Sequence, residues 1–528
     1  MKNRVSSEFH KVSDKHILIL ETDMPIYNIR KIVKDIDKVR RAGNVLVSKL
    51  KKNYEQLMRT KQYRGLLKAY GKASKKDKKG IGKQLEEMQK KYNVTFDFCR
   101  ISMQEIGKHF GIGSIFALTK AEDIWRGMEK ILYSEGRSLH YTKCDDLSIL
   151  RAKQINRGIV LRLNKTKDNL VCSYEGINFG FKIKDRFQQE EINAIIWYLN
   201  NSDVIDTEAT NLYKQEGIIV STYRPIYVTL KVQQIRGKYR LYAHITIEGT
   251  PFNKYNKMGT LRNNKGNGIL GIDIGTQTIA YTSELEIGLK NLVERGSSIK
   301  NNERKERKLY RALDRSRRAT NLNNYNEDGT IKCGKKVWKY SNRYKKLKAR
   351  HKDLCRKNAI NRKLAIQEEV NHLRSIANIV ITEPKNASKL AKKAKLAQDD
   401  KGGYKRRKRF GKSIKNRCSG YLQEQLRKKF STYIEVPYSY RASQYDHTVD
   451  DYIKKDLSDR IYKLSNGVEV QRDLYSSFLL YCCNMGTLEI DKQRCNIEFS
   501  NFKEKEENLI KYIKENSIKI KNSGIKTA

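Results

Sequence analysis

The stretch "GILGIDIGTQTIAYTS", residues 268–283, sets a carboxylate, Asp273, in the middle of an apolar run. "ILGIDIG" and "TIAYTS" predict two short strands joined at Gly275. A carboxylate removed from water costs several kcal/mol unless it is paired or metal-bound, so Asp273 needs a partner. Two more acids stand in comparable places. Glu383 ends the apolar strand pattern "NIVITEP", and Asp473 opens the apolar helix pattern "RDLYSSFLLYCC". Each also has a plain explanation: an Asp in the first helical turn complements the dipole, and a Glu before Pro384 suits a solvent-facing strand end.

Between these acids lies a polar, basic and largely helical excursion from "NNERKERKLYRALDRSRR" to "NHLRSIA", with turn material at residues 322–329. After Glu383 come a basic loop, a helix over "CSGYLQEQLRKKF", the strand "TYIEV" and a final helix from "RDLYSSFLLYCC". Strands alternating with helices predict an α/β core with some parallel pairing.

The whole chain is strongly basic. Its 528 residues hold 109 Lys and Arg against 59 Asp and Glu, a formal net charge of +50. Such an excess repels itself unless a polyanion neutralises it, and nucleic acid is the commonest one. No apolar stretch is long enough to span a bilayer and the N-terminus "MKNRVSSEFHKVSDKH" is polar, so no membrane partner and an intracellular location are expected. The nine cysteines contain no CxxC pair, which argues against a disulfide framework or a zinc knuckle and for buried free thiols.

The N-terminal half follows other periods. "HILIL" (residues 16–20) predicts a strand, and Ile29, Ile32, Val33, Ile36 and Val39 recur at helical steps beside a basic face. Weaker helical patterns run through residues 84–135. Near residue 215 the period changes to two: "PIYVTLKV" and "YRLYAHITI" flank Arg236-Gly237 as an antiparallel hairpin, which with "HILIL" would complete a small β-barrel interrupted by helices.

"GIDIGTQT" alone is also similar to the phosphate loop of sugar kinases and actin-like ATPases, with Asp273 positioning magnesium. Its place far from the N-terminus and the +50 charge oppose that reading. A ribonuclease-H-like fold accounts for more: carboxylates from a first strand, a later strand end and a last helix converge on two divalent ions, and hard oxygen ligands suit magnesium. Lys and Arg would then hold the phosphates of the substrate.

The ordered motifs "GIDIGTQTIAY", "LDRSRRATNLNNYNEDGTIKCGKKVWKYSNRYKKLKARH", "VITEPKN", "YKRRKRFGKSIKNRCSGYLQEQLRKKF" and "ASQYDH" to "LSDRIYKLSNGVEVQRDLYSSFLL" resemble the C-terminal half of the TnpB proteins, over roughly residues 265–485. These are RNA-guided nucleases of insertion sequences, related to the compact type V CRISPR effectors. The resemblance implies Asp273, Glu383 and Asp473 as the catalytic, metal-binding acids of the first, second and third RuvC segments, holding two Mg2+ ions. It implies a guide RNA and target double-stranded DNA as partners, bound by a monomer or homodimer on the RNA. Nucleic-acid contacts are expected from Arg315, Arg317 and Arg318, from Lys405, Arg406, Arg407, Arg409 and Lys412, and from Gln444 and Arg472. In "YKRRKRF" the aromatics interleave with cations as single-strand binding favours, although a solvated loop has the same composition.

The implied organisation is a wedge barrel in two parts (1–24 and 211–264) split by a helical recognition lobe (25–210), RuvC segments I and II with a helical insertion (265–440), a target-binding insertion (441–470), RuvC segment III (471–485) and a basic C-terminal tail (486–528). Many family members carry two CxxC pairs in that insertion. Here it is "SQYDHTVDDYIKKDLSDRIYKLSNGVEVQRD", without cysteine, so the insertion is expected to persist without zinc. His447, with Asp446 and Asp450, is read there as part of a surface turn rather than a metal site. A nuclease-inactive RNA-guided repressor and a guide-independent RuvC-type nuclease or transposase are the alternatives; the three acids favour the enzyme, and the long N-terminal half has no purpose in a minimal resolvase.

Overall fold

The structure is a computed structural model that describes residues 15–74, 76–134, 136, 138–144, 149–216, 222–249, 251–262, 265–292, 297–391, 414, 416–454, 456 and 459–526. It divides into two compact units, residues 1–253 and 254–528.

In the first unit, β1 (Lys15–Thr22) is followed by α1 (Ile26–Arg59), α2 (Lys61–Lys72), α3 (Asp77–Lys91), α4 (Phe96–Phe110) and α5 (Ser114–Tyr133). Then come β2 (Ile149–Arg151), β3 (Ile159–Leu163), β4 (Leu170–Tyr174), β5 (Ile177–Phe179), β6 (Phe181–Lys182), α6 (Arg186–Asn200), α7 (Ser202–Glu216), β7 (Arg224–Ile235) and β8 (Lys238–Glu248). The 34-residue α1 serves two cores. Its first half, with Ile29, Ile32, Ile36 and Val39, packs with Leu18, Leu20 and the strands. Its second half, with Leu46, Val47, Leu50 and Leu57, packs with α4 and α5. At 1.5 Å rise per residue such a helix is about 50 Å long, more than one small core can cover.

The hairpin pairs Ile235 with Lys238, and its two loop residues Arg236 and Gly237 both have positive φ (49° and 82°), the geometry that matches the strand twist. β1 pairs antiparallel with β8, so "HILIL" joins the sheet of the hairpin. The predicted barrel is a five-stranded sheet in the order β2-β7-β8-β1-β6 instead, with β2 and β6 as its edges. Residues 25–210 are also less purely helical than expected: β3, β4 and β5 form a separate three-stranded antiparallel sheet. Its alternation is carried by Ile159, Leu161, Leu170, Cys172 and Tyr174, short apolar spacings that lie between turns rather than along a helical stripe.

The second unit is built on β9 (Ile269–Ile274), β10 (Thr278–Ser283), β11 (Ile287–Asn291), β12 (Ile379–Thr382) and β13 (Thr432–Glu435), in the order β11-β10-β9-β12-β13. β9, β12 and β13 run parallel, whereas β10 and β11 continue the sheet as antiparallel hairpins. α8 (Ser297–Thr320) and α9 (Asn342–Ile376) form the excursion, and α10 (Ala387–Leu390) and α11 (Ser419–Lys429) follow β12. Short hairpins β14 (Tyr445–Asp446) with β15 (Asp451–Tyr452), and β16 (Ile461–Lys463) with β17 (Glu469–Gln471), lead into α12 (Arg472–Tyr481) and α13 (Lys492–Glu515).

Strand alternation divides the core in two. Leu270, Ile272 and Ile274 face α9 and α11, packing with Ile366, Val370, Leu373, Leu422 and Leu426. The other face packs on α12 and α13 through Ile381, Leu474, Phe478 and Phe502. Gly271 makes that second layer possible, because a Cβ there would run into the backbone of Ser477 and Tyr481.

The expected "basic tail" and "final helix" are both corrected by α13. It buries Cys495, Phe502, Glu506 and Ile513 in the second unit, an apolar spacing that the eight lysines and one arginine of residues 486–528 obscure in the sequence. The cysteines are mixed rather than uniformly buried: Cys144 and Cys333 are exposed, and Cys355 and Cys418 are half-buried. No helix among the described residues is long and apolar enough to cross a membrane.

Candidate active site

In a strand, residues two apart share a face, so Gly271 and Asp273 both point toward α12. On parallel β12, Ile381 pairs with Gly271 and Thr382 with Ile272; continuing that register one residue sets Glu383 beside Asp273. Ile381 packs in the α12 core, which assigns Glu383, two residues on, to the same side. α12 supplies the third acid. Its cap is Gln471, whose side chain accepts from Leu474 N at 2.8 Å, and Asp473 lies in the first turn.

The electrostatics bring the charge of Asp273 to bear on the other two acids. Burial and then the Asp273 charge push Glu383 above the ordinary carboxylate range, against the Ala442 amide, which donates to Glu383 Oε1 at 3.0 Å, and the charge of Lys385. Asp473 is raised by the same two causes, burial first, with Arg472, Arg460 and Lys385 opposing. Lys385 Nζ donates to Asp273 Oδ1 at 3.1 Å. Both raised groups therefore hold protons more tightly than isolated carboxyls do, the signature of negative charge gathered in a poorly solvated place.

Three hard oxygen donors, two of them raised by burial and by the charge of the third, are a suitable set for divalent cations of the magnesium class.

α13 holds α12 in place. Glu506, fully buried, accepts from Gln471 N at 2.6 Å and is paired with Lys503 Nζ at 2.8 Å, so the backbone just ahead of Asp473 is pinned by a carboxylate from the last helix.

Sequence reading misses two residues of this site, Lys385 and Glu506. The signal for Lys385 is its position in "VITEPKN", two residues after Glu383, where the chain leaves the strand. Glu506 carries none, because a glutamate in a Lys- and Glu-rich helix reads as a solvated face.

The expected nucleic-acid residues are scattered. Arg317 and Arg318 both bond Asp314, each at 2.8 Å, and stack over Trp338 and Tyr325, while Arg315 is exposed on the same helix. Arg472 adjoins the acids, its Nε 4.0 Å from Asp473 Oδ1. Gln444 is half-buried, and its backbone carbonyl accepts from Ile453 N at 2.8 Å. Lys405, Arg406, Arg407, Arg409 and Lys412 lie outside the described residues.

The surface turn expected at Asp446 and His447 is buried instead, at 0% and 2% exposure. Asp446 Oδ1 accepts from the Thr448 amide and hydroxyl, and Oδ2 from the Ser465 amide and hydroxyl, at 2.7–3.0 Å. Burial pushes this carboxyl up, but those hydrogen bonds together hold it below its ordinary value. His447 Nδ1 lies 2.7 Å from the Tyr475 hydroxyl and its ring meets Phe499 of α13. Polar residues suited to a turn thus act as a clasp once α12 and α13 cover them.

No protein-family profile matches the chain, and no curated protein does. Among solved structures, the chain is similar to a Cas12f1 complex with single-guide RNA and target DNA, at 12% identity and a TM-score of 0.40, covering 88% of this chain and 98% of that one. It is also similar to the mini RNA-guided endonuclease CRISPR-Cas phi3, at 11% identity and a TM-score of 0.29, covering 87% of this chain and 91% of that one.

Proposed function

We propose that the chain is an RNA-guided DNA endonuclease. It binds a guide RNA, recognises a short flanking motif in double-stranded DNA and cleaves both strands at a single RuvC-type site. The observation that supports this reading is that burial and the charge of Asp273, on the sheet face that packs on α12, together raise Glu383 at the end of β12 and Asp473 in the first turn of α12. The +50 charge supports a polyanionic substrate.

Asp273, Glu383 and Asp473 would hold Mg2+, which when bound supplies Lewis-acid stabilisation of a phosphodiester oxygen. The chain's own contribution is to orient the three donors from two strands and a helix start. Lys385 balances Asp273, and Arg472 sets a cation beside Asp473 where a phosphate would approach.

The test is to purify the protein with co-expressed RNA, sequence the bound RNA and challenge a plasmid library randomised beside a guide-matched site. Guide-dependent cutting that needs magnesium is expected. A preparation without discrete RNA defeats the guided reading, and target binding without cutting leaves an RNA-guided binding protein.

A further inference from the structure

Away from the three acids, α8 and α9 run antiparallel. Asn302 Nδ2 donates to Asn358 Oδ1 at 2.8 Å, and the Ser316 and Ser341 hydroxyls lie 3.2 Å apart nearer the turn. Between those layers Glu306 of α8 faces His351 and Cys355, which are four residues apart and so share one face of α9. Cys355 Sγ is 3.5 Å from His351 Nε2 and 3.8 Å from Glu306 Oε1, and His351 Nε2 is 3.8 Å from Glu306 Oε1.

These three atoms form a nearly equilateral triangle whose centre is ~2.1 Å from each, close to the bond lengths of zinc to sulfur, nitrogen and oxygen. Hydrogen bonding accounts for the trio less well. The two contacts of the sulfur, 3.5 and 3.8 Å, are long, and 3.8 Å between nitrogen and oxygen exceeds a hydrogen bond.

We infer that Glu306, His351 and Cys355 form a binding site for a divalent transition ion of the zinc class. The thiolate and imidazole select such an ion over magnesium, which separates this site from the all-carboxylate one. His351, 14% exposed, is flanked by the Tyr310 ring at a centroid distance of 4.3 Å, whereas Glu306 is 32% exposed and leaves a side open for water as a fourth ligand. Binding releases the thiol proton to solvent and ties α8 to α9. A search for CxxC pairs cannot find the site, because its ligands come from two separate helices.

The test uses the full chain, stripped with chelator and titrated with Co2+. One equivalent is expected to produce a thiolate-to-cobalt charge-transfer band that Zn2+ abolishes and Mg2+ does not. Cys355→Ala should remove the band and weaken Zn2+ binding by more than about a hundredfold. Cys333→Ala and Asp273→Ala should leave the band intact, so its loss is not loss of the carboxylate site. Zn2+ should raise the melting temperature of the wild type and not of Cys355→Ser. If Cys355→Ser does not fold, His351→Gln read by the same band decides. Absence of the band, its survival in Cys355→Ala, or displacement by Mg2+ overturns the assignment.

Discussion

Glu21 in β1 and Asp273 in β9 are both strand carboxylates, and their surroundings are opposite. Glu21 meets cations: Lys184 Nζ at 2.7 Å and Arg240 Nη1 at 3.3 Å. The Lys184 hydrogen bond leads the causes that hold its carboxyl below the ordinary value, although burial opposes them. Asp273 has Lys385 at 3.1 Å, but its charge also adds to burial in raising two other acids. An acid in a strand is therefore not a site by itself. The mark of the site is negative charge collected beyond what the fold needs.

The sharpest test of that contrast is Asp273→Ala, expected to reduce cleavage by about a thousandfold or more while sparing RNA and target binding. Cutting that survives would remove Asp273 from the site. Glu506→Ala should follow: it strips Lys503 and the Gln471 amide of a fully buried partner, costing about 3 kcal/mol by denaturant melts, and should slow cleavage through the displaced start of α12.

The two regions should also differ in the sign of their pH dependence. Glu383 and Asp473 are raised, so the metal-free fold binds their protons more tightly than the unfolded chain. Their effect is to lower stability as pH rises from the ordinary values of 4.5 and 3.8 through the raised ones. Asp273→Asn should flatten that slope in melts with chelator. Glu21 is lowered, so its stabilisation is complete above 4.5 and is lost as pH falls through its folded value. Glu21→Gln should remove that acid loss, cost only about 1 kcal/mol because Lys184 and Arg240 are half-exposed, and leave cleavage chemistry unchanged.

Local patterns carry much of this architecture. Alternation in "YRLYAHITI" and the Arg236-Gly237 turn specify the hairpin, because both depend on neighbours in sequence. The helical step in α1 likewise marks its buried face, though not that the face serves two cores. The three acids are legible as residues out of place in apolar segments.

Their mutual effect is not legible. It depends on β12 lying parallel to β9 and on α12 approaching Gly271, pairings between residues far apart in the chain. The same holds for Glu506 beneath Gln471, for the buried clasp of Asp446, and for Cys355 opposite Glu306. Sequence by itself determined the residue types, the local periods and the overall charge. Tertiary structure alone decided which side chains share a dielectric environment, because burial and Coulomb energy depend on distance through space and not along the chain.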